Sequence, residues 1–456
     1  MSYENRRDRL GKAIAIGLII AVVFTALAFG AVEPWSLFLF EILVVLLIAL
    51  WVTKLLLNGR LKVVMPDTAL PIAAVVLFGI IQSVAIPSST GQWASLSMDV
   101  GSTRMTVTAL VFMFAAFVLF SNSFATRDRL SVLSAFLVIY GLGMAIFALV
   151  QHFTWDGRFY WLRPTLATSP FGPFANHNHF AGYMELLIPL PLALVVARHG
   201  RVEIRLLYLF AAGMMAVAAM TSLSRGGMIS LVAGILFIGL FGMRLRRDKG
   251  SSRVAMFLSQ AVVVIGIMAV VAAGIFWIGA DPVLKRVTQG QTASSAPAKE
   301  TFLSSRGWIW RDTFSMIRAN PILGVGLGAY ETAFPIYSES DGSLRVPQAH
   351  NDYLQVVADA GVVGAVSALW FIVAVFRAVA RGVRSGDRLL AGLALGTGGG
   401  IFAMLVHSIF DFNLQIPSNA LLFLVLVGVA STVAAMVPDH TLARRPVSER
   451  LEVVAG

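Results

Sequence analysis

The tripeptide Ser-Arg-Gly occurs twice in this chain, as Ser224-Arg225-Gly226 and as Ser305-Arg306-Gly307, and both arginines are read as standing at a helix start. A guanidinium offers a planar fork of donors matched to phosphate oxygens, and the free N–H groups and positive dipole end of a helix N-terminus favour an anion at the same spot. Two such arginines could clamp a diphosphate. The alternative is that each only extends along apolar surface to reach water.

His350 sits in Gln348-Ala349-His350-Asn351-Asp352-Tyr353-Leu354, where a long loop enters an apolar run. A histidine held there by a rigid helix yet reachable from water suits a general base, or could simply cap the helix. Asn351 and Asp352 are ordinary helix-start residues, and Asp352 is expected to orient or cap. His177-Asn178-His179 could be read as a metal pair, but no further ligands accompany it and the chain has no Cys, so neither metal nor cofactor is expected. His407-Ser408-Ile409-Phe410-Asp411-Phe412-Asn413 offers Asp411 to orient a histidine or hold a hydroxyl, or merely to pack at an interface. Gly324-Val325-Gly326-Leu327-Gly328 lacks the Lys-Ser/Thr ending of a nucleotide loop and is expected to make turns.

What positions these residues must be a set of membrane helices. Residues are 57% hydrophobic and 13% charged, against roughly 45–50% and 25% in soluble domains. A hydrocarbon core about 30 Å thick needs about 20 apolar residues per helix. Twelve candidate runs lie near residues 12–32, 36–57, 68–86, 105–121, 130–151, 180–197, 204–221, 227–243, 254–280, 353–376, 389–409 and 418–437. The expected organisation is transmembrane helices one to nine over 1–280, a loop on the outer side over 281–352, which the resemblance given below makes periplasmic, helices ten to twelve over 353–437 and a cytoplasmic tail over 438–456. Arg6-Arg7-Asp8-Arg9 before the first run resembles a signal peptide, but that run is too long for one and is read as a retained span.

The net charge of +11 marks topology before it suggests nucleic acid. With a cytoplasmic N-terminus, most of the 35 basic residues fall in inside turns, among them Lys54, Arg127, Arg129, Arg198, Arg201 and Arg388. His152, His177, His179, His350 and His407 then lie at or near the outer surface, with His199 and His440 inside. Polar side chains concentrated on one face suggest a site there. Within the large loop, Thr288 to Lys299 reads as flexible. Ser305 to Ala319 reads as an amphipathic helix with Trp310, Phe314 and Ile317 on its apolar face, Arg311, Ser315 and Arg318 opposite, and Arg306 anomalously on the apolar side.

In these residues the chain resembles the O-antigen ligase and O-antigen polymerase superfamily of bacterial membrane glycosyltransferases. The resemblance rests on Ser224-Arg225-Gly226-Gly227, on Arg306 and Gly324-Val325-Gly326, on His350-Asn351-Asp352-Tyr353-Leu354 with Gly361 and Gly364, and on His407-Ser408 with Asp411-Phe412-Asn413. It covers roughly residues 150 to 430 and implies an all-α, GT-C-type protein of the cell inner membrane with about twelve helices. The implied reaction moves a glycan from undecaprenyl diphosphate to a lipid A core sugar or to a growing glycan. By that resemblance Arg225 and Arg306 bind the diphosphate and His350 is the general base. His177, His179, Tyr183, Tyr330, Asp352 and Asp411 are possible acceptor or orienting contacts. A ligase is the leading expectation, with a polymerase, a protein O-oligosaccharyltransferase or a secondary transporter as alternatives. A transporter would more naturally show ionisable groups at the bilayer midplane and a repeat between halves.

Overall fold

The computed structural model describes residues 3–59, 63–87, 93–165, 167, 169–245, 302–339 and 345–438. Its helices in chain order are α1 (Tyr3–Leu27), α2 (Pro34–Asn58), α3 (Ala69–Ser83), α4 (Val100–Ser123), α5 (Arg127–Phe153), α6 (His177–Leu187) and α7 (Pro189–Val196). There follow α8 (Val202–Thr221), α9 (Arg225–Leu245), α10 (Phe302–Ala319), α11 (Tyr330–Tyr337), α12 (Asp352–Gly382), α13 (Arg388–His407) and α14 (Pro417–Met436). Two small antiparallel hairpins pair Ala85–Pro87 with Trp93–Ser95 and Arg158–Phe159 with Arg163–Pro164.

Among the described residues ten helices are long and apolar enough to cross a membrane, with α6 and α7 counted as one span broken only by the ring of Pro189. The chain is therefore a multi-pass membrane protein. The expected run at 68–86 is shorter than that: α3 has 15 residues, about 22 Å of rise, and ends at Val84 where the backbone turns extended. The expected run at 254–280, the segment Thr288 to Lys299, His440 and the rest of the tail lie outside the described residues.

Burial separates an inner group of helices from an outer one. The spans His177–Val196, Arg388–His407 and Pro417–Met436 are 83%, 89% and 78% buried, whereas α2 and α8 are 22% and 28% buried and present their apolar sides outward. Small residues explain the centre, because helices approach closely where side chains are minimal. A Cβ on Gly400 would stand 2.5 Å from the Leu186 carbonyl oxygen, and one on Gly396 would stand 2.8 Å from Leu190 Cα. The pair α13 and α6–α7 can pack this tightly only with glycine there.

The glycine-rich segment 324–328 does make turns, and it uses them to hold α12. Gly324 has φ +70° and Gly361, inside α12, has φ +58°. A Cβ on Gly324 would run into the Asp359 backbone, and one on Gly361 into the Ile322 carbonyl. Val325 N–H donates to Ala358 O (2.9 Å) and Gly326 N–H to Asp359 O (3.0 Å), so this loop pairs with the carbonyls that the kink at Gly361 frees.

The two ends of the bundle differ in chemistry. At one end Arg127 bridges Asp387 at 2.6 Å, tying α5 to α13, and Arg129 and Lys54 both close on Gly11 of α1. At the other end lie the starts of α6, α9, α12 and α14 and the ends of α8 and α13.

Candidate functional site

Helix α12 begins with its approach nailed down residue by residue. The N–H of Ala349 donates to Gln355 Oε1 (2.8 Å), and its carbonyl accepts from Trp310 Nε1 (3.0 Å). Asn351 is the cap: its Oδ1 accepts from Tyr353 and Leu354 N–H, both at 3.0 Å, while its Nδ2 reaches Ile409 O at 3.1 Å. Asp352 accepts from Ser408 Oγ (2.9 Å) and Leu414 N–H (3.3 Å), and its own N–H donates to Ser408 O. Asp352 thus ties the helix start to the segment after α13. Between these fixed neighbours His350 adopts φ +50°, a left-handed conformation that costs a non-glycine residue on the order of 1–3 kcal/mol and persists only where the surroundings impose it.

That conformation turns the imidazole toward Asp411. His350 Nδ1 lies 3.3 Å from Asp411 Oδ1, and the same carboxylate's Oδ2 accepts from Asn178 Nδ2 (2.7 Å) and lies 3.8 Å from Arg306 Nη2. The side chains of Arg306 and Asp411 are 7% and 2% exposed, whereas His350 retains 31%, so the histidine is the member of this trio that solvent reaches. Burial alone would raise the Asp411 pKa. The hydrogen bond from His350 and the positive charge of Arg306 outweigh it and hold the carboxyl well below the usual range. Burial pushes the Arg306 guanidinium down to about 10, with Asp411 partly offsetting that. At that separation and an effective dielectric of about 20 the attraction is roughly 4 kcal/mol, comparable with the desolvation it opposes. An ionised carboxylate can only accept, so in the neutral imidazole the proton belongs on Nδ1 and the lone pair on Nε2. The Phe412 ring stands edge-on between His350 (5.0 Å) and His179 (5.1 Å).

Arg225 is the first residue of α9, as its sequence suggests. Leu223 turns the chain at φ +59°, and Ser224 Oγ accepts from Gly227 N–H at 3.1 Å, which caps the helix. Arg306 differs from the expectation: α10 starts at Phe302, so this arginine lies a turn inside the helix and draws nothing from free terminal N–H groups. The buried stripe of α10 is also displaced from the expected one. Arg306, Ile309, Thr313 and Met316 are buried, while Phe314 is 48% exposed. The pattern was set by packing against α11 and α12, which a helical wheel of α10 alone does not contain. That stripe accounts for Arg306 on the inner face.

The turn that opens α6 connects the two arginine sites. His177 Nδ1 donates to Ser222 O (2.7 Å), three residues before Arg225, while Asn178 binds Asp411. His179 Nδ1 is 3.2 Å from Asn413 Oδ1, and Asn419 Nδ2 reaches both that oxygen and His179 O. The two histidines are thus directed at different partners. Tyr183 is fully buried and bonded to Tyr140 (3.1 Å), and Tyr330 is 1% exposed and bonded to Thr313 (2.6 Å). Neither tyrosine joins the group around Asp411. His152 packs against Phe171.

Three residues at this end carry polar contacts that the sequence reading passed over. Asn178 and Asn413 look like helix-entry residues, and only the fold brings them to Asp411 and His179. Glu185 is different. A carboxylate in an apolar run is itself a signal, since such groups are rare in spans and usually functional. It lies 2.6 Å from His407 Nδ1 with both side chains essentially buried.

Comparison with known families adds one match: residues 210–369 fit the family model described as O-antigen ligase. That segment holds Arg225, Arg306 and His350, while Asn178, Glu185, His407 and Asp411 lie beyond its ends. No curated protein matches the chain.

Proposed function

We propose that this protein, residues 210–369 of which fit the O-antigen ligase family model, transfers a glycan from undecaprenyl diphosphate to a sugar hydroxyl of a lipid A core oligosaccharide, at the periplasmic face of the inner membrane. What stands without a proposal is coarser: this is a multi-pass membrane protein with a segment similar to the O-antigen ligase family.

One observation carries the finer reading. Asp411 engages Nδ1 of His350, the member of the trio that solvent reaches, and so leaves Nε2 of the neutral ring as a proton acceptor. In the proposed reaction the acceptor hydroxyl oxygen bonds to the donor's anomeric carbon as its proton passes to Nε2. The bond from that carbon to the diphosphate oxygen breaks, and the electron pair leaves with undecaprenyl diphosphate. Arg225 and Arg306 stabilise the charge that develops on the departing diphosphate, the role of prearranged donors in group transfer. The positive-inside bias, with Arg127, Arg129 and Lys54 at the opposite end, supports a periplasmic placement.

Complementation separates the readings. Expression in a ligase-null strain is expected to restore capped lipid A core on a gel. Restoration of glycan chain length in a polymerase-null strain, with no capping in the ligase-null strain, would replace ligase by polymerase.

A further inference from the structure

The reaction as proposed makes no use of Glu185 and His407, yet they form the most deeply buried pairing of ionisable groups among the described residues. Glu185 Oε1 lies 2.6 Å from His407 Nδ1, the side chains are 0% and 1% exposed, and Glu185 Oε2 has no hydrogen-bond partner. Glu185 stands about 12 Å along the axis of α6 from His177, inside the bundle. A pairing of this kind costs desolvation and is more often retained for geometry than for stability.

Its surroundings show what geometry it sets. The far edge of the His407 ring faces the start of α9: a Cβ on Gly226 would stand 3.0 Å from both Cδ2 and Nε2. On the other side of that turn, a Cβ on Gly227 would stand 2.7 Å from Ala181 Cβ of α6. Both glycines of Ser224-Arg225-Gly226-Gly227 are therefore contact points, one against α13 and one against α6. The imidazole is wedged between Glu185 and Gly226, and so spans three helices. Rotation of the ring, or loss of its partner, changes the surface on which the first turn of α9 rests.

We propose that the Glu185–His407 pair is a positioning device for Arg225, fixing where α9 begins and hence where its guanidinium meets the donor's diphosphate. This rests on the diphosphate role of Arg225 set out above.

The test measures binding of undecaprenyl diphosphate to the full-length protein in lipid nanodiscs. Arg225→Ala is expected to weaken binding about tenfold. Glu185→Ala and Gly226→Ala should each weaken it several-fold in correctly folded protein, whereas Glu185→Gln, which keeps an oxygen acceptor for Nδ1–H, should restore most of the affinity. The double variant Arg225→Ala/Glu185→Ala should bind no more weakly than Arg225→Ala alone, because the pair acts only through that side chain. Wild-type affinity in Glu185→Ala and Gly226→Ala, or additive losses in the double variant, would overturn the proposal. Should Glu185→Ala fail to fold, Gly226→Ala and its double with Arg225→Ala carry the same comparison. Wild-type affinity in Arg225→Ala itself would instead remove the diphosphate reading on which the proposal stands.

Discussion

Asp411 Oδ1 lies 3.3 Å from His350 Nδ1, across 61 residues of chain, while the other oxygen of the same carboxylate faces Arg306. One buried anion thus orients the proposed base and holds a proposed diphosphate ligand. Perturbing it should affect both.

Asp411→Asn keeps the size of the side chain but no longer requires Nδ1 to carry the proton. Turnover is expected to fall by about 10²–10⁴-fold, the scale on which general-base catalysis contributes. Asp411→Ala should in addition destabilise the fold by about 3–5 kcal/mol, because it removes the carboxylate from a buried cation. Transfer assays and thermal unfolding on purified protein measure the two effects separately.

Stability should also depend on pH through Asp411. Its folded pKa is depressed, so its contribution is fully present above the unfolded value of about 3.9 and is lost as pH falls below that toward the folded value. The difference in unfolding temperature between wild type and Asp411→Asn should therefore be constant from pH 7 to about 5 and shrink below about 4. A difference that grows on acidification would mean that the folded carboxyl is held above its ordinary range.

Arg225→Lys and Arg306→Lys retain a positive charge but lose the planar fork. Each is expected to raise the donor KM by about tenfold or more, the equivalent of roughly 1.4 kcal/mol, with a smaller change in acceptor KM. Steady-state kinetics with each substrate varied in turn make the distinction. Wild-type donor KM in both variants would remove bidentate recognition.

Gly324→Ala should prevent normal folding, with a cost of at least about 2 kcal/mol, since it combines a left-handed backbone with a clash against the Asp359 backbone. Reduced recovery of monodisperse protein, and a lower unfolding temperature for what is recovered, would check this.

Much of this arrangement was legible in the chain before any fold was known. Hydropathy located the long helices, because an apolar run of about 20 residues has few alternatives to spanning a bilayer. His350 at a helix entry and Arg225 at a helix start were readable from local sequence alone. What could not be read was convergence. Asn178 reaches Asp411 across 233 residues, and no local pattern encodes that. Arg306 is the instructive case: its place on the apolar side of α10 was visible as an anomaly, but packing against α11 and α12 sets the inner face and Asp411 on a distant segment supplies the charge it meets there. The exposed Phe314 shows the converse, an apolar residue whose position the wheel alone assigned to the wrong side.

The most direct test is transfer itself. Purified protein in nanodiscs, supplied with a glycan on undecaprenyl diphosphate and a lipid A core acceptor, should yield the joined glycolipid. His350→Ala should bind undecaprenyl diphosphate as wild type does yet transfer at least about 100-fold more slowly. Full transfer by His350→Ala would contradict the account at its centre.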